Sequence, residues 1–294
     1  MGFVRRKYQK MVIPMNKRRF SVATLMFFAL SFINTYAQPD IQVPKSPEAG
    51  KSAIGINDAV LIDQMMFVMP GVGSNARELL TEQSIKAYMM PARRQEPNGS
   101  SIAYTVASAL EYYVNLKKNY KDNLSPDYIS LNLASNRQDM TFQEAFKFLI
   151  ENGTVSAAIM PYGASSISPA VYATPKFGIQ NFLFLFHETT KGRQKIFETR
   201  KALMRGHPVV LEMRVDPGFE KLRQVRYWAP PTTTGDSDIT TPVVVVSYDE
   251  DLEAFEILTS LGSEWGEGGY IWVNYADFEK YALDGFVILP NPTK

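Results

Sequence analysis

Residues 259–270 read Thr-Ser-Leu-Gly-Ser-Glu-Trp-Gly-Glu-Gly-Gly-Tyr, a run in which four glycines surround one tryptophan. Glycines accept the positive φ angles of tight turns, and a tryptophan ring can be buried beside them. Around this run, short segments rich in Val, Ile and aromatic residues are separated by turn residues, which is typical of β-strands. The predicted strands are 208–215, 242–248, 254–260, 269–273 and 285–289. The last third of the chain is therefore predicted to form a sheet.

Before residue 208 the apolar residues recur at helical spacing instead. They lie on one face of a predicted helix over 101–118. Thr141 and Glu144 have the spacing of a capping box, which predicts a helix over 141–153, and a third helix fits 193–205. Helices first and strands second predict an α+β fold, with a helical N-terminal half packed against a β-rich C-terminal half.

The segment that opens the first long helix carries a specific motif. Residues 95–105 read Gln-Glu-Pro-Asn-Gly-Ser-Ser-Ile-Ala-Tyr-Thr. They resemble the segment around the nucleophile of papain-like cysteine peptidases, with Ser101 in the place of the cysteine. Gln95 matches the family's glutamine, which the resemblance makes an oxyanion-type donor. Without the resemblance, Ser100 or Ser101 would be interpreted simply as a helix cap.

Two further motifs follow in the order expected of that family. Residues 241–249 read Thr-Pro-Val-Val-Val-Val-Ser-Tyr-Asp and resemble the family's strand that begins with histidine, with Thr241 in the place of that histidine. Residues 259–270 are similar to the family's Asn-Ser-Trp-Gly motif, with Thr259 in the place of the asparagine. Ser101 lies 140 positions before Thr241 and 158 before Thr259, close to the ~130–150 positions expected. The resemblance implies the papain-like fold.

The resemblance also identifies the chemical groups that are missing. The family's reaction needs a thiolate, an imidazolium and an orienting asparagine, and these three places hold Ser101, Thr241 and Thr259. A threonine hydroxyl is far too weakly basic to activate Ser101. The two histidines, His187 and His207, do not align with the family's histidine and are expected to be structural or solvent-exposed. The sequence therefore predicts a catalytically inactive member of the family, a pseudopeptidase.

Composition and charge exclude several other classes of function. The 294 residues include no cysteine and two histidines, which excludes disulfides, thiolate zinc sites, iron–sulfur clusters and histidine-rich metal sites. No cofactor and no metal is therefore expected. Residues 1–37 hold seven basic residues and no acidic one, whereas the others carry 24 basic against 30 acidic side chains, a formal charge of −6. This distribution does not fit a nucleic-acid-binding domain, whose positive charge lies on the folded part.

The basic start of the chain has the features of an export signal. Basic residues at 17–19 precede a 14-residue apolar run over 20–33, and Thr-Tyr-Ala at 35–37 places small residues before a cut at Gln38. The apolar run is shorter than the roughly 20 residues of a membrane span. A cleaved signal peptide is the favoured interpretation, with an uncleaved anchor or a buried helix as alternatives. Met15 is the more natural start of this signal.

The predicted organisation follows from this signal. It comprises a signal peptide over 1–37, an N-terminal extension over 38–83 and a papain-like domain over 84–294, with no transmembrane span after cleavage. Such a protein is expected in the periplasm, or at the outer membrane or surface, of a bacterium. Its partner is expected to be a protein or peptide of the envelope.

The expected function is therefore that of a non-catalytic scaffold that binds this partner. The candidate groove positions are Gln95, Ser101, Thr241 and Thr259. Trp265 and Trp228 are candidate contact residues, although Trp228 could equally be a loop aromatic folded back onto the core. A second hypothesis is a serine-variant hydrolase or transpeptidase that uses Ser101 as its nucleophile.

Overall fold

A computed structural model of the protein describes residues 54–70, 72, 81–118, 121–133 and 140–291. The expected signal peptide lies outside these ranges. The described helices are α1 (Ala59–Met65), α2 (Ser101–Lys118), α3 (Pro126–Leu133), α4 (Phe142–Glu151), α5 (Gly192–Met204) and α6 (Tyr275–Tyr281). None of these helices combines the length and the apolar character needed to cross a bilayer.

Seven strands form one antiparallel sheet in the described part of the chain. They are β1 (Glu82–Ser84), β2 (Ile179–Phe186), β3 (Val209–Arg214), β4 (Thr240–Asp249), β5 (Ala254–Leu258), β6 (Tyr270–Asn274) and β7 (Ala282–Pro290). The strand order is β2-β7-β3-β4-β5-β6, and β1 pairs with the end of β4. Helices and an antiparallel sheet confirm the predicted α+β class.

The sequence signals for α4 act as predicted. Thr141 Oγ1 accepts a hydrogen bond from the Glu144 amide (3.3 Å), and the Glu144 carboxylate accepts one from the Thr141 amide (2.8 Å). These two bonds form the capping box and fix the start of the helix. Gly153 follows the helix with φ +68°, a conformation that favours glycine.

Strand β2 departs from the predicted order of helices first and strands second. It lies between α4 and α5 in the chain, yet it pairs with β7, the last strand. Most of its side chains are buried on both faces. Such a strand has a nearly continuous apolar sequence without alternation, so its pattern alone does not separate it from a buried helix.

Two hydrophobic cores lie on opposite faces of the sheet, and β4 contributes to both. Val244 and Val246 pack in the core that includes α2 and α4. Val243 and Val245 pack in the core that includes α5 and α6. Successive valines of β4 thus point to opposite faces of the sheet, as in any strand. The sequence does not show this alternation, because both faces carry valine.

Residues 54–70 pack against the rest of the domain. Ile56 pairs in parallel with β2, and its amide and carbonyl make backbone hydrogen bonds of 3.0 and 2.8 Å there. Farther along, the Phe67 carbonyl accepts a hydrogen bond from His207 Nε2 (2.6 Å). These contacts hold residues 54–70 against the domain predicted over 84–294.

The other end of the sheet is also lined by a chain segment. The Trp228 amide donates to the Trp272 carbonyl, and the Trp272 amide donates to the Arg226 carbonyl, both at 2.8 Å. Residues 226–228 therefore run along β6 in parallel. As a result, β2 and β6, the two end strands of the sheet, each have a further backbone segment along the outer edge.

Candidate functional site

The predicted nucleophile position lies at the first residue of α2. Ser100 caps this helix, because its Oγ accepts a hydrogen bond from the Ala103 amide (3.3 Å). Ser101 is partly exposed, and its hydroxyl makes no hydrogen bond with any described residue. A Cβ at Gly99 would lie 2.9 Å from the Tyr104 ring, so the turn before the helix requires glycine. Ser101 is therefore free of a capping role.

Gln95 is held beside the segment that follows β5. The backbone N–H of Gln95 donates to the Ser260 carbonyl (2.8 Å), and the Ser260 hydroxyl donates to the side-chain oxygen Gln95 Oε1 (2.8 Å). The second bond fixes the side-chain amide, and its Nε2 has no partner among the described residues. Gln95 can therefore donate a hydrogen bond to a ligand.

Thr241 lies near the start of β4, opposite Met213 of β3. The next residue of β4, Pro242, joins this strand to α2, because its carbonyl accepts a hydrogen bond from Thr105 Oγ1 (3.4 Å). Thr105 is four residues after Ser101 and so lies on the same face of the helix. This contact brings the Ser101 end of α2 to the Thr241 end of β4.

Thr259 lies in the turn between β5 and β6 and is 4% exposed. Its amide donates to the Gly269 carbonyl (3.4 Å), and its Oγ1 accepts from the Leu261 amide (3.3 Å). Gly269 has φ +94°, and a Cβ there would lie 2.0 Å from the Ala92 side chain, so this turn also requires glycine. The Thr259 hydroxyl stabilises the turn.

The predicted groove positions thus come from three distant segments and meet at one junction. Gln95 contacts the turn after β5, and α2 contacts the start of β4. Small, neutral side chains occupy the three positions that the resemblance assigns to chemistry. Within the described part of the chain, no group of His, Cys, Asp or Glu side chains could hold a metal ion at this junction or elsewhere.

His207 has a structural role. It is fully buried, its Nε2 donates to the Phe67 carbonyl (2.6 Å), and its Nδ1 accepts from the Tyr113 hydroxyl (2.8 Å). Burial lowers the pKa of His207 to about 4, so the ring is neutral at pH 7. Tyr113 follows Ser101 by twelve residues on α2, about 18 Å along the helix axis. The imidazole therefore cannot act as a base for Ser101.

His187 lies after β2, an end strand of the sheet. It is exposed, and its Nδ1 lies 3.5 Å from Asp284 Oδ1. Strand β2 is three strands from β4 in the sheet order, a separation of about 14 Å. This histidine is also not placed to contact Ser101 or Thr241.

A buried ion pair supports the junction, and the sequence did not indicate it. Arg93 Nη2 lies 2.6 Å from Glu111 Oε2 on α2, and Glu111 Oε1 accepts from the Leu124 amide (2.6 Å). Burial raises the pKa of Glu111 to about 7, although Arg93 and the Leu124 amide both lower it. Glu111 follows Ser101 by ten residues, about 15 Å along the helix, so its role is to anchor Arg93 beside Gln95.

The two tryptophans singled out as contact residues are buried in the core. Trp265 is 0% exposed and donates its indole N–H to the Phe219 carbonyl (2.8 Å). Trp228 is 3% exposed, donates to Asp216 Oδ2 (3.4 Å) and packs against Phe219. Neither ring offers a contact surface, because each indole is enclosed and has an internal acceptor. Trp228 is thus the loop aromatic folded back onto the core.

The third tryptophan, Trp272, is only half-buried and belongs to neither core. It lies on β6 between two buried residues, Ile271 and Val273. The alternation of this strand places Trp272 on the opposite face from Ile271 and Val273. That alternation is the sequence signal that could have identified it.

Comparison with known proteins gives one curated relative at low identity. The chain is 26% identical over 189 residues to the gamete and mating-type specific protein A of Dictyostelium discoideum. The match covers 63% of this chain and 40% of that protein, so the chain spans less than half of its length. No protein-family model matches the chain.

Solved structures resemble the domain much more completely. The bromelain protease of Ananas comosus superimposes with a TM-score of 0.58 and 20% identity, over 72% of this chain and 99% of bromelain. Xylellain, a cysteine protease from Xylella fastidiosa, gives a TM-score of 0.55 and 18% identity, over 78% of this chain and 97% of xylellain. The protein therefore has the fold of the papain-like cysteine proteases.

Proposed function

We propose that this protein is a papain-like scaffold without peptidase chemistry, and that it binds a protein or peptide partner. One observation carries the proposal. The positions that correspond to the family's cysteine, histidine and asparagine hold Ser101, Thr241 and Thr259, and no imidazole or amine among the described residues reaches the Ser101 hydroxyl. The missing groups are thus not supplied from elsewhere in the described fold.

A serine hydroxyl at this position cannot react without help. It needs a base that removes its proton, and the bases used for this purpose are imidazole or a neutral amine. Both ring nitrogens of His207 already have partners, and Thr241 has only a hydroxyl. Gln95 retains an amide donor, but a donor stabilises an oxyanion only after a nucleophile has attacked.

The junction keeps close packing that only particular residues allow, which supports a binding role for the scaffold. The close contacts at Gly99 and Gly269, and the two hydrogen bonds between Gln95 and Ser260, maintain the junction of helices and sheet. The features of residues 1–37 support export, with cleavage before Gln38 and residence in a bacterial envelope. We therefore propose an envelope protein or peptide as the partner.

The proposal is tested by looking for Ser101 chemistry. The full mature chain and Ser101→Ala are treated with a fluorophosphonate probe and with a peptide library. We expect no labelling of Ser101 and the same background turnover in both proteins. Labelling of Ser101, or turnover that Ser101→Ala abolishes, would overturn the proposal and establish a serine hydrolase or transpeptidase.

Export and partner binding need their own measurements. The intact mass of the protein from its own host is expected to match a chain that begins at Gln38. A soluble cytoplasmic chain that begins at Met15 would contradict export. Affinity capture from solubilised envelopes is expected to recover a partner with the wild-type chain and with Ser101→Ala alike. Recovery of the chain alone, under conditions that preserve its fold, contradicts the binding role.

A further inference from the structure

A concave site lies on the sheet, far from the Ser101 junction. It has a volume of about 620 Å³ and is bordered by side chains of β1, β4, β5 and β6 together with Tyr88, Arg226 and Leu252. Asp249, at one end of this site, is eight residues after Thr241 along β4, a distance of about 27 Å. We name it the Trp272 cavity, after the tryptophan in its wall.

A row of polar side chains on β1, β4 and β5 lies beneath this cavity. The Ser84 and Ser247 hydroxyls are 2.6 Å apart, and Ser247 Oγ donates to Glu256 Oε2 (3.2 Å). Glu256 is directly opposite Trp272 in the sheet. The charge of Glu256 is already balanced, because Lys86 Nζ lies 2.5 Å from its Oε1.

A neighbouring row places two carboxylates on paired strands, and backbone amides engage one oxygen of Asp249 while no cation among the described residues pairs with either acid. Glu82 and Asp249 are cross-strand partners in the β1–β4 pair, so their side chains share one face of the sheet. Like charges directly opposite one another destabilise a sheet. Neither carboxylate makes an ion pair with any described residue. The wall of the Trp272 cavity therefore attracts a cation.

Trp272 provides an apolar surface beside these acids. Its ring makes no aromatic or cation contact with the described residues, and its indole N–H has no acceptor among them. Tyr88 and Leu252, at the edge of the cavity, are 37% and 39% exposed. Exposed aromatic and aliphatic side chains around a cavity are characteristic of surfaces that contact another chain.

We propose that the Trp272 cavity receives an arginine side chain of the partner polypeptide. The aliphatic stem of the arginine lies on the Trp272 ring, and its guanidinium pairs with Glu82 and Asp249. Arg226 lies beside β6, four strand spacings or about 19 Å from Glu82, so its charge is at the opposite end of the cavity from the two carboxylates. This inference rests on the proposed binding function and locates the contact away from the Ser101 junction.

The experiment uses a minimal probe, the blocked tripeptide acetyl-Gly-Arg-Gly-amide, and the full mature chain. Its control is the same peptide with citrulline, which keeps the shape of arginine and lacks its charge. Binding is followed through the indole N–H signals in NMR, where Trp272→Phe identifies the Trp272 signal. We expect a saturable shift of that signal with the arginine peptide, and at least tenfold weaker binding of the citrulline peptide.

Variants separate the two acids from charge in general. The double variant Glu82→Gln with Asp249→Asn is expected to weaken binding of the arginine peptide at least tenfold. Asn is chosen at 249 because it keeps the side-chain oxygen that accepts the amides of residues 251 and 252. The matched control, Glu264→Gln with Glu267→Gln, removes two exposed acids from a different turn and is expected to leave binding unchanged.

Thermal unfolding gives a readout that a structural role would not produce. Glu82→Gln is expected to raise the midpoint temperature of the free protein, because it removes the repulsion, while the arginine peptide no longer stabilises this variant. No binding, equal binding of the citrulline peptide, or a lower midpoint for Glu82→Gln would overturn the inference. Those outcomes leave the proposed function intact, whereas turnover by Ser101 refutes that function and leaves arginine binding unaffected.

Discussion

The Ser101 junction and the Trp272 cavity differ in the chemistry of the polar groups that they leave open. At the junction, neighbours in the same chain engage the Gln95 side-chain oxygen, the Thr259 hydroxyl and the Arg93 guanidinium, and the groups left open are neutral, namely the Ser101 hydroxyl and Gln95 Nε2. In the Trp272 cavity, by contrast, the indole N–H and the Glu82 carboxylate have no partner among the described residues.

The difference indicates which region was left with recognition chemistry. Hydrogen bonds that are closed internally stabilise a fold, because a buried group without a partner costs free energy. Polar groups left open at the surface are hydrated in the free protein and remain available to a ligand. The junction therefore leaves only neutral groups open, whereas the distant Trp272 cavity leaves a carboxylate open.

The strongest test of this comparison replaces one tryptophan at a time. Trp265→Ala leaves a cavity in the core and the Phe219 carbonyl without its donor, so we expect a loss of about 3–5 kcal/mol in the free energy of unfolding. Trp272→Ala is expected to cost about 1 kcal/mol or less, since the ring packs in neither core. Urea denaturation measures both values. Equal losses of unfolding free energy would mean that Trp272 stabilises the fold as much as Trp265 does.

A pH series tests whether His207 is purely structural. The folded protein holds its pKa at about 4, below the ordinary 6.5, so the unfolded chain binds the proton first. The contribution of His207 to the free energy of unfolding is therefore lost as the pH falls from about 6.5 to 4, by up to about 1.4 kcal/mol per pH unit. The raised pKa of Glu111 gives a slope of opposite sign in both proteins. The difference in unfolding free energy between the wild type and His207→Asn, measured by urea denaturation at several pH values, should therefore show the His207 slope.

The exposed histidine supplies the matched control for that series. His187→Asn removes an imidazole that is about half exposed, and we expect the wild-type slope to persist. A difference between the wild type and His207→Asn that stays constant with pH would contradict the low pKa of the buried His207.

Restoring the missing side chains asks whether the scaffold still aligns them. The chain has no cysteine, so Ser101→Cys introduces a single thiol. In the triple variant with Thr241→His and Thr259→Asn, we expect the imidazole to lower the pKa of that thiol by at least one unit. The rate of alkylation by iodoacetamide near pH 6 should rise about tenfold over Ser101→Cys alone. Identical rates would mean that Thr241 does not face Ser101.

Two adjacent serines give the finest test of the junction. Ser100→Ala removes the hydroxyl that caps α2 and is expected to cost about 1 kcal/mol in the free energy of unfolding. Ser101→Ala removes a hydroxyl without a partner among the described residues, and we expect a change within about 0.5 kcal/mol. Chemical denaturation of both variants checks the pair. A larger loss for Ser101→Ala would give that residue the structural role instead.

The parts of the fold with periodic or capped sequences were predictable. The capping box at Thr141 and Glu144 gives the start of α4, and the apolar segments after residue 208 give the strands of the C-terminal half. Strand β2 was not identified, because a strand buried on both faces lacks alternation.

Contacts between distant segments could be predicted only where a known family supplied the pattern. The motifs around Ser101, Thr241 and Thr259 indicated one site, and the structure brings their segments together. The pairing of Glu82 with Asp249 had no such guide, since a three-residue strand carries no signal of its register. The Trp272 cavity depends on this register and therefore could not be predicted from the sequence.

The segments along β2 and β6 have a consequence for behaviour at high concentration. Unpaired backbone groups at the end of a sheet are a template on which other chains can add as strands, and proteins avoid aggregation by covering them. Here Ile56 covers part of β2, and residues 226–228 run beside β6. A proteolytic cut that released the segment around Ile56 would uncover β2 and give the shortened chain a route to self-assembly that the intact protein lacks.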